Sequence, residues 1–204
     1  DDIWSHLAST VLPGYVATTL QLMLGVGLGT LLIGVGTAWL VTMCRFPGSR
    51  IFEWALLLSM AMPAYVIAYV YTDVLEYAGP VQGALRALFG WTSMRDYWFP
   101  EIRSLGGAIV MMTLVLYPYV YLLSRAAFLE QSVAALEASR VLGRGPWQSF
   151  FLVALPLARP GIVIGLSLVL METLNDYGTV DFFAVNTFTL GIFDVWMNMN
   201  NMAG

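Results

Sequence analysis

The sequence has 204 residues, of which 59% are hydrophobic and 11% charged, and its formal net charge is −4. Soluble domains carry about a quarter charged residues, so this composition excludes a chain that faces water on every side. All nine basic residues are arginine, and without lysine the chain cannot hold a GxxxxGK[ST] phosphate-binding loop, so any ATP would bind to another chain.

Four stretches are predicted to cross a membrane as helices. A spanning helix needs about 20 mainly apolar residues, because about 1.5 Å per residue must cover about 30 Å of hydrocarbon. The predicted spans fall at about 15–43, 54–72, 104–124 and 160–180, and the fourth is the most polar, since it contains Glu172 and Asp176. The expected fold class is therefore all-α, a polytopic membrane helical bundle of about four transmembrane helices.

Glycine and proline inside the spans predict how the helices pack. Gly25 and Gly29 form a GxxxG pair, which either lets a neighbouring helix approach closely or is simply tolerated in a lipid-facing helix. Pro63 and Pro118 each remove one backbone hydrogen bond, so we expect kinks in the second and third spans.

The placement of arginine predicts the orientation of the chain, because arginine accumulates in cytoplasmic connections. Residues 45–50 carry two arginines and residues 125–159 carry four, whereas residues 73–103 carry three together with four acids. The loop 125–159 is therefore expected in the cytoplasm, and the segments 1–14, 73–103 and 181–204 in the periplasm.

The predicted periplasmic segments contain two shorter apolar stretches. Residues 81–89 favour a short amphipathic helix at the membrane interface that ends near Gly90. Residues 182–193 are too few to cross and indicate a re-entrant or surface segment. Because the chain begins with Asp1 rather than methionine, we expect an internal piece of a longer protein, with a further span after Gly204.

The cytoplasmic loop is predicted to form a helix, a turn and a second helix. Apolar residues recur every three or four positions from Arg125 to Leu142, which favours an amphipathic helix. Gly143 is expected to end it, and Gly145-Pro146 to begin a short second helix that Pro156 closes.

A spaced motif in this loop carries a resemblance. Glu137-Ala138-Ser139 is followed by Gly143, then Val153 and Leu155-Pro156. The spacing resembles the EAA motif of type-1 ABC importer permeases, E-A-A-x3-G-x9-I-x-L-P, with Ser139 and Val153 as mild departures. The resemblance implies the fold of that family and a coupling helix that docks on a separate ATP-binding cassette subunit. The implied contact residues are Glu137, Ala138, Ser139, Arg140 and Gly143.

Four further segments are similar to the ferric-iron branch of that family. They are FEWALLL at 52–58, YAGPVQ at 77–82, ETLNDYGTV at 172–180 and TFTLGIF at 187–193. The resemblance implies one incomplete transmembrane domain over 1–204 in a bacterial inner membrane, joined to a second permease bundle in the same polypeptide. It also implies ferric iron delivered by a periplasmic substrate-binding protein, although related branches carry thiamine or polyamines. Neither a cofactor on this chain nor a nucleic-acid partner is implied.

The acids of the fourth span are candidates for the translocation path. Glu172 and Asp176 are four residues apart and would share one helix face, which Tyr177 and Asp181 would extend. An acid at the centre of a bilayer costs about 2.5–3.5 kcal/mol, so it should face the bundle interior or a water-filled path. Contact with the metal cargo, hydrogen bonding within the bundle and lining of the path without coordination remain three open alternatives.

Two other classes of protein fit the sequence less well. A membrane enzyme would need a nucleophile–base pair or a metal cluster, and the lone His6 and lone Cys44 supply neither. A secondary transporter would use Glu172 and Asp176 as a proton relay, but that hypothesis leaves the motif in the loop unexplained. The Met-rich end at 197–202 is interpreted as an irregular segment rather than a soft-metal site.

Overall fold

The computed structural model describes residues 7–197, and over that range the chain forms helices and no β-strand. His6 and most of the Met-rich end lie outside the described residues. The described helices are α1 (Leu12–Met43), α2 (Ser49–Ala55), α3 (Ala64–Leu75), α4 (Pro80–Phe89), α5 (Leu105–Glu130), α6 (Val133–Val141), α7 (Pro146–Asn175), α8 (Gly178–Phe182) and α9 (Phe188–Met197). A π-helical turn, Leu7–Val11, precedes α1, and a second one, Phe150–Ala154, lies within α7.

Three of the described helices are long and apolar enough to cross a membrane. They are Ser9–Met43, Leu105–Glu130 and Pro146–Asn175, of 35, 26 and 30 residues. The all-α membrane fold class is confirmed. The first and third predicted spans correspond to α1 and α5, and Pro118 lies inside α5 without ending it.

The second predicted span, 54–72, is interrupted. α2 ends at Ala55, a short 3₁₀ turn covers Leu58–Ala61, and α3 begins only at Ala64. Pro63 stands before α3 in an extended conformation (φ −58°, ψ 144°), where its missing N–H removes no helical bond. The proline therefore separates two helices instead of kinking one. Only Ser49–Ala61 and Ala64–Phe89 taken together have the length and composition of a span, as a broken span or a re-entrant loop.

The loop 125–159, predicted to be cytoplasmic, differs from its predicted secondary structure in two places. One continuous helix over 125–142 is wrong, because α5 runs on to Glu130 and Ser132 is extended (φ −64°, ψ 124°) before α6 begins. A second helix closed by Pro156 is also wrong. Leu155 N–H bonds to Phe150 O across the wider π turn, so the missing N–H of Pro156 falls where the helix is already widened and α7 continues.

The short helix predicted over residues 81–89 is confirmed as α4. Pro80 is its first residue, where a missing N–H costs nothing, and Gly90 ends it in the left-handed conformation (φ 71°). The fourth span ends at Asn175, five residues earlier than expected, and two short helices, α8 and α9, follow it.

The described residues form two compact units. The first comprises 7–26, 62–115 and 172–197, and its buried residues include Leu22, Met112 and Phe183. Here a Cβ on Gly25 would lie 2.7 Å from the Ile109 side chain, so the close approach predicted for this glycine is confirmed.

The second unit comprises 27–61 and 116–171, with Tyr121 and Phe128 fully buried. A Cβ on Gly34 would lie 2.7 Å from Val120 Cβ on α5, and a Cβ on Gly161 would lie 2.8 Å from Leu123 O. Small residues thus set the spacing of α1, α5 and α7 within this unit.

Candidate functional site: the coupling surface and the end of the fourth span

Helix α6 carries the motif residues, and a glycine turn leads from it to α7. Gly143 has φ 84°, a conformation that side chains disfavour, and its N–H bonds to Arg140 O at 2.9 Å. The next N–H, of Arg144, bonds to Ser139 O at 3.1 Å. The sharp exit predicted at Gly143 is therefore confirmed.

The motif residues divide between the surface and the interior of the chain. Glu137, Ala138, Arg140 and Gly143 are exposed, whereas the side chain of Ser139 is buried, with a relative exposure of 6%. Ser139 thus faces the interior of this chain, unlike the other four predicted contact residues. The sequence pattern does not show this, because consecutive residues of a helix face different directions.

Three large apolar side chains outside the predicted contact residues are exposed close to the motif in the sequence. Val141 is 86% exposed, Leu142 81% and Trp147 73%. We call Val141, Leu142 and Trp147 the apolar tip. The turn at Gly143 leaves the C-terminal end of α6 exposed.

The residues beneath α6 fix it to the membrane helices. Ser139 Oγ lies 2.7 Å from Ser149 Oγ in the first turn of α7, and Gln131 Nε2 donates to Ala154 O at 2.7 Å. Trp39 of α1 packs against Phe150 with ring centroids 4.7 Å apart. Helix α6 and the turn that follows it therefore rest on a defined base of polar and aromatic contacts.

A second set of contacts joins α5 to the interrupted second span. Tyr121 OH donates to Glu53 O at 3.0 Å, and Tyr117 OH donates to Leu56 O at 2.6 Å. One turn further along α5, the guanidinium of Arg125 pairs with the Glu53 carboxylate. These three side chains are spaced four residues apart on one face of α5. The two tyrosines stabilise backbone carbonyls at the end of α2 that lack helical partners, whereas the arginine pairs with a carboxylate.

The candidate path residues do not share one helix face. Glu172 is exposed on the last turns of α7, but the helix ends at Asn175, so Asp176 lies beyond it. Asp176 Oδ1 accepts the N–H of Thr179 at 2.8 Å, at the start of α8. The side chain of an aspartate competes with helix continuation in this way.

Tyr177 is also held by packing within the chain. Its ring stacks on Phe193, with centroids 4.3 Å apart. Among the described residues there is no group of three or more His, Cys, Asp or Glu side chains placed to hold a metal ion. Hydrogen bonding and packing account for Asp176 and Tyr177, whereas Glu172 remains exposed on the surface of this chain.

The predicted periplasmic connection contains a cavity of about 460 Å³ beside α4. Gln82, which is 6% exposed, donates to Leu75 O at 2.8 Å and accepts from Tyr97 OH at 2.7 Å. Nearby, the backbone N–H groups of Ser93 and Thr92 hold the pKa of Asp96 below its ordinary value of 3.8. The connection is thus an ordered, hydrogen-bonded segment.

The fold and the loop define a multi-span transport component of an inner membrane. The chain belongs to the family of binding-protein-dependent transport system inner membrane components, whose profile matches residues 30–202. This membership, together with the apolar helices, places the chain in the inner membrane.

Three relatives show the breadth of the family. The chain is 30% identical over 153 residues to the molybdenum transport system permease protein ModB of Escherichia coli (strain K12), covering 75% of this chain and 63% of that protein. It is 30% identical over 189 residues to the probable sulfate transport system permease protein cysT of Chlorokybus atmophyticus (91% and 62%). It is 27% identical over 187 residues to the Fe(3+)-transport system permease protein FbpB 2 of Haemophilus influenzae (91% and 32%). The chain spans less than two thirds of the length of these relatives.

Proposed function

We propose that this chain is the permease part of an ATP-driven, binding-protein-dependent importer. In this proposal a separate ATPase subunit binds the apolar tip and the exposed face of α6. A periplasmic binding protein delivers the cargo, and a second permease bundle completes the path. Alternating access between the two sides of the membrane then moves the cargo inward.

The observation that carries the proposal is the apolar tip. Large apolar side chains that are exposed within a few residues of one another on a loop indicate a protein-binding surface. Aromatic anchors accompanied by charged residues are typical of such surfaces, and here Glu137, Arg140 and Arg144 are exposed in the same segment as Trp147. A groove on the partner would bury the apolar side chains, while the charges select orientation at the rim.

Co-purification tests the docking step. In the intact transporter, Leu142→Ser and Trp147→Ser should each reduce recovery of the ATPase subunit by about tenfold, as expected when one buried anchor worth about 1.4 kcal/mol or more is lost. Leu88→Ser is the matched control, since Leu88 is 77% exposed on α4, on the predicted opposite side of the membrane. Equal recovery from all three variants would refute the docking surface.

The cargo proposed from the sequence is ferric iron, and the relative named for Fe(3+) transport supports it. A tetrahedral oxyanion is the second candidate, because the relatives named for molybdenum and sulfate transport are 30% identical to this chain. Vesicles containing the complete transporter should accumulate radiolabelled ferric iron in an ATP-dependent manner. Accumulation of molybdate or sulfate instead would replace iron with the oxyanion.

A further inference from the structure

Two serine hydroxyls form a buried contact between α6 and α7. Ser139 and Ser149 are 6% and 2% exposed, and their Oγ atoms lie 2.7 Å apart. Ser139 Oγ also donates to Leu136 O at 2.9 Å. A hydroxyl carries one hydrogen, so Ser149 must be the donor to Ser139. The result is a directed chain from the first turn of α7, through the Ser139 hydroxyl, to the backbone of α6.

A hydrogen bond holds two helices differently from an apolar contact. It fixes both the distance and the direction between its atoms, whereas small apolar side chains in the same place could slide past one another. Burial also penalises any displacement that would leave a hydroxyl without its partner. The two serines thus resist movement of α6 relative to the start of α7.

The position of Ser149 connects this contact to the membrane. Ser149 is the fourth residue of α7 (Pro146–Asn175), a helix of 30 residues that is long and apolar enough to cross the bilayer. Gln131 Nε2 adds a second link, to Ala154 O at 2.7 Å, from the break that precedes α6. Both polar contacts therefore join the α6 region to the first turns of a single spanning helix.

We propose that Ser139 and Ser149 are positioning residues that transmit displacement of α6 to α7. The inference rests on the proposed function, because a partner must move α6 for the contact to transmit anything. When the ATPase subunit shifts the apolar tip, the hydrogen-bonded pair carries the start of α7 with it. Without the pair, α6 would move while the spanning helix lags behind.

The test uses the complete transporter in lipid nanodiscs with ATP and vanadate as the probe. A fluorescent unnatural amino acid replaces Ser167, whose side chain is exposed on α7 and donates a hydrogen bond to Val163 O of the same helix. The readout is the ATP-dependent change in its emission. Ser139→Ala and Ser149→Ala should each reduce the ATP-dependent change in emission by about fivefold or more. This is about the factor by which the net free energy of one hydrogen bond changes an equilibrium constant. The ATPase subunit should still co-purify with both, and the exposed Ser132→Ala should behave as the unmodified transporter.

Two further variants separate positioning from simple packing. In Ser139→Ala/Ser149→Ala no buried hydroxyl is left alone, so a packing role predicts recovery of the response. A positioning role predicts that the response stays low. In Ser139→Cys/Ser149→Cys, made with Cys44→Ala, oxidation to a disulfide should restore the response, and reduction should abolish it again.

The outcomes distinguish the inference from the proposed function. If the unmodified transporter responds to ATP and the serine variants respond equally, the inference is overturned and the proposed function stands. The same holds if the double alanine variant recovers or the disulfide fails to restore the response. If the unmodified transporter retains no ATPase subunit, the proposed function itself fails.

Discussion

Removing the hydroxyl of Tyr121 should destabilise the interrupted second span. Tyr121 is fully buried on α5, and its OH donates to Glu53 O at 3.0 Å. The ordinary helical partner of that carbonyl is Leu57 N–H, which bonds to Trp54 O instead, because α2 tightens as it ends. Tyr121→Phe keeps the ring in place and leaves the carbonyl without its donor.

The expected cost of Tyr121→Phe is about 1–3 kcal/mol in the free energy of unfolding, the penalty for one buried polar group left unsatisfied. Unfolding of the purified protein in detergent, followed by circular dichroism during a denaturant titration, measures it. The matched control is Tyr119→Phe, two residues earlier on α5, at a partly exposed side chain. It should change the free energy of unfolding by less than about 0.5 kcal/mol.

The double variant tests whether the two tyrosines act separately. Tyr117 OH bonds to a different carbonyl, Leu56 O, at 2.6 Å. Tyr117→Phe/Tyr121→Phe should therefore cost more than either single change, and any departure from the sum of the two measures the coupling between these side chains, which are one helical turn apart. The reasoning would be refuted if Tyr121→Phe unfolded at the same denaturant concentration as Tyr119→Phe. The carbonyl of Glu53 would then gain nothing from its tyrosine partner.

Three further predictions concern the glycines and the periplasmic connection. Gly34→Ala should lower the free energy of unfolding by about 1–3 kcal/mol through overpacking, because the new Cβ would lie 2.7 Å from a side-chain carbon of α5. The control is Gly36→Ala, which has open space around it and should be neutral or stabilising in the same denaturant titration. Gly143→Ala, at φ 84°, should cost about 1–2 kcal/mol and weaken recovery of the ATPase subunit, whereas Gly145→Ala, at φ −69°, should not. Two backbone N–H groups, of Ser93 and Thr92, lower the pKa of Asp96. The Asp96 carboxylate should therefore stabilise the turn at these residues above pH 3.8, and this stabilisation should be lost only as the pH falls through the lowered pKa. Loss of amide protection in hydrogen exchange above pH 3.8 would contradict this.

Features that depend only on residues close together in the sequence could be predicted from the sequence. The helices α1 and α5 could be predicted from the length of their apolar stretches, because hydrocarbon thickness sets the number of residues that a spanning helix requires. The ends of α4 and α6 at Gly90 and Gly143 follow from the freedom of glycine to adopt positive φ. Each of these features is decided within a few residues of chain.

The errors arose where a local pattern competed with a hydrogen bond that the pattern does not contain. The predicted fourth span continues past Asn175 to residue 180, but the Asp176 carboxylate accepts the N–H of Thr179, and Thr189 Oγ1 donates to Leu174 O at 2.5 Å. Pro156 was expected to end a helix, but a π turn accommodates it. Neither partner is visible in helical periodicity.

The sequence by itself determined that this chain lies in a membrane, which of its loops carries the spaced motif, and where that motif turns. Tertiary structure alone decided which motif residues are exposed. Ser139 is turned inward by Ser149, ten positions away, while Leu142 is left exposed by the turn that follows it. It also decided how the interrupted second span is stabilised, because Glu53 meets its tyrosine 68 positions further along the chain. The physical reason is that burial and hydrogen bonding depend on distance in space, which helical period and composition do not encode.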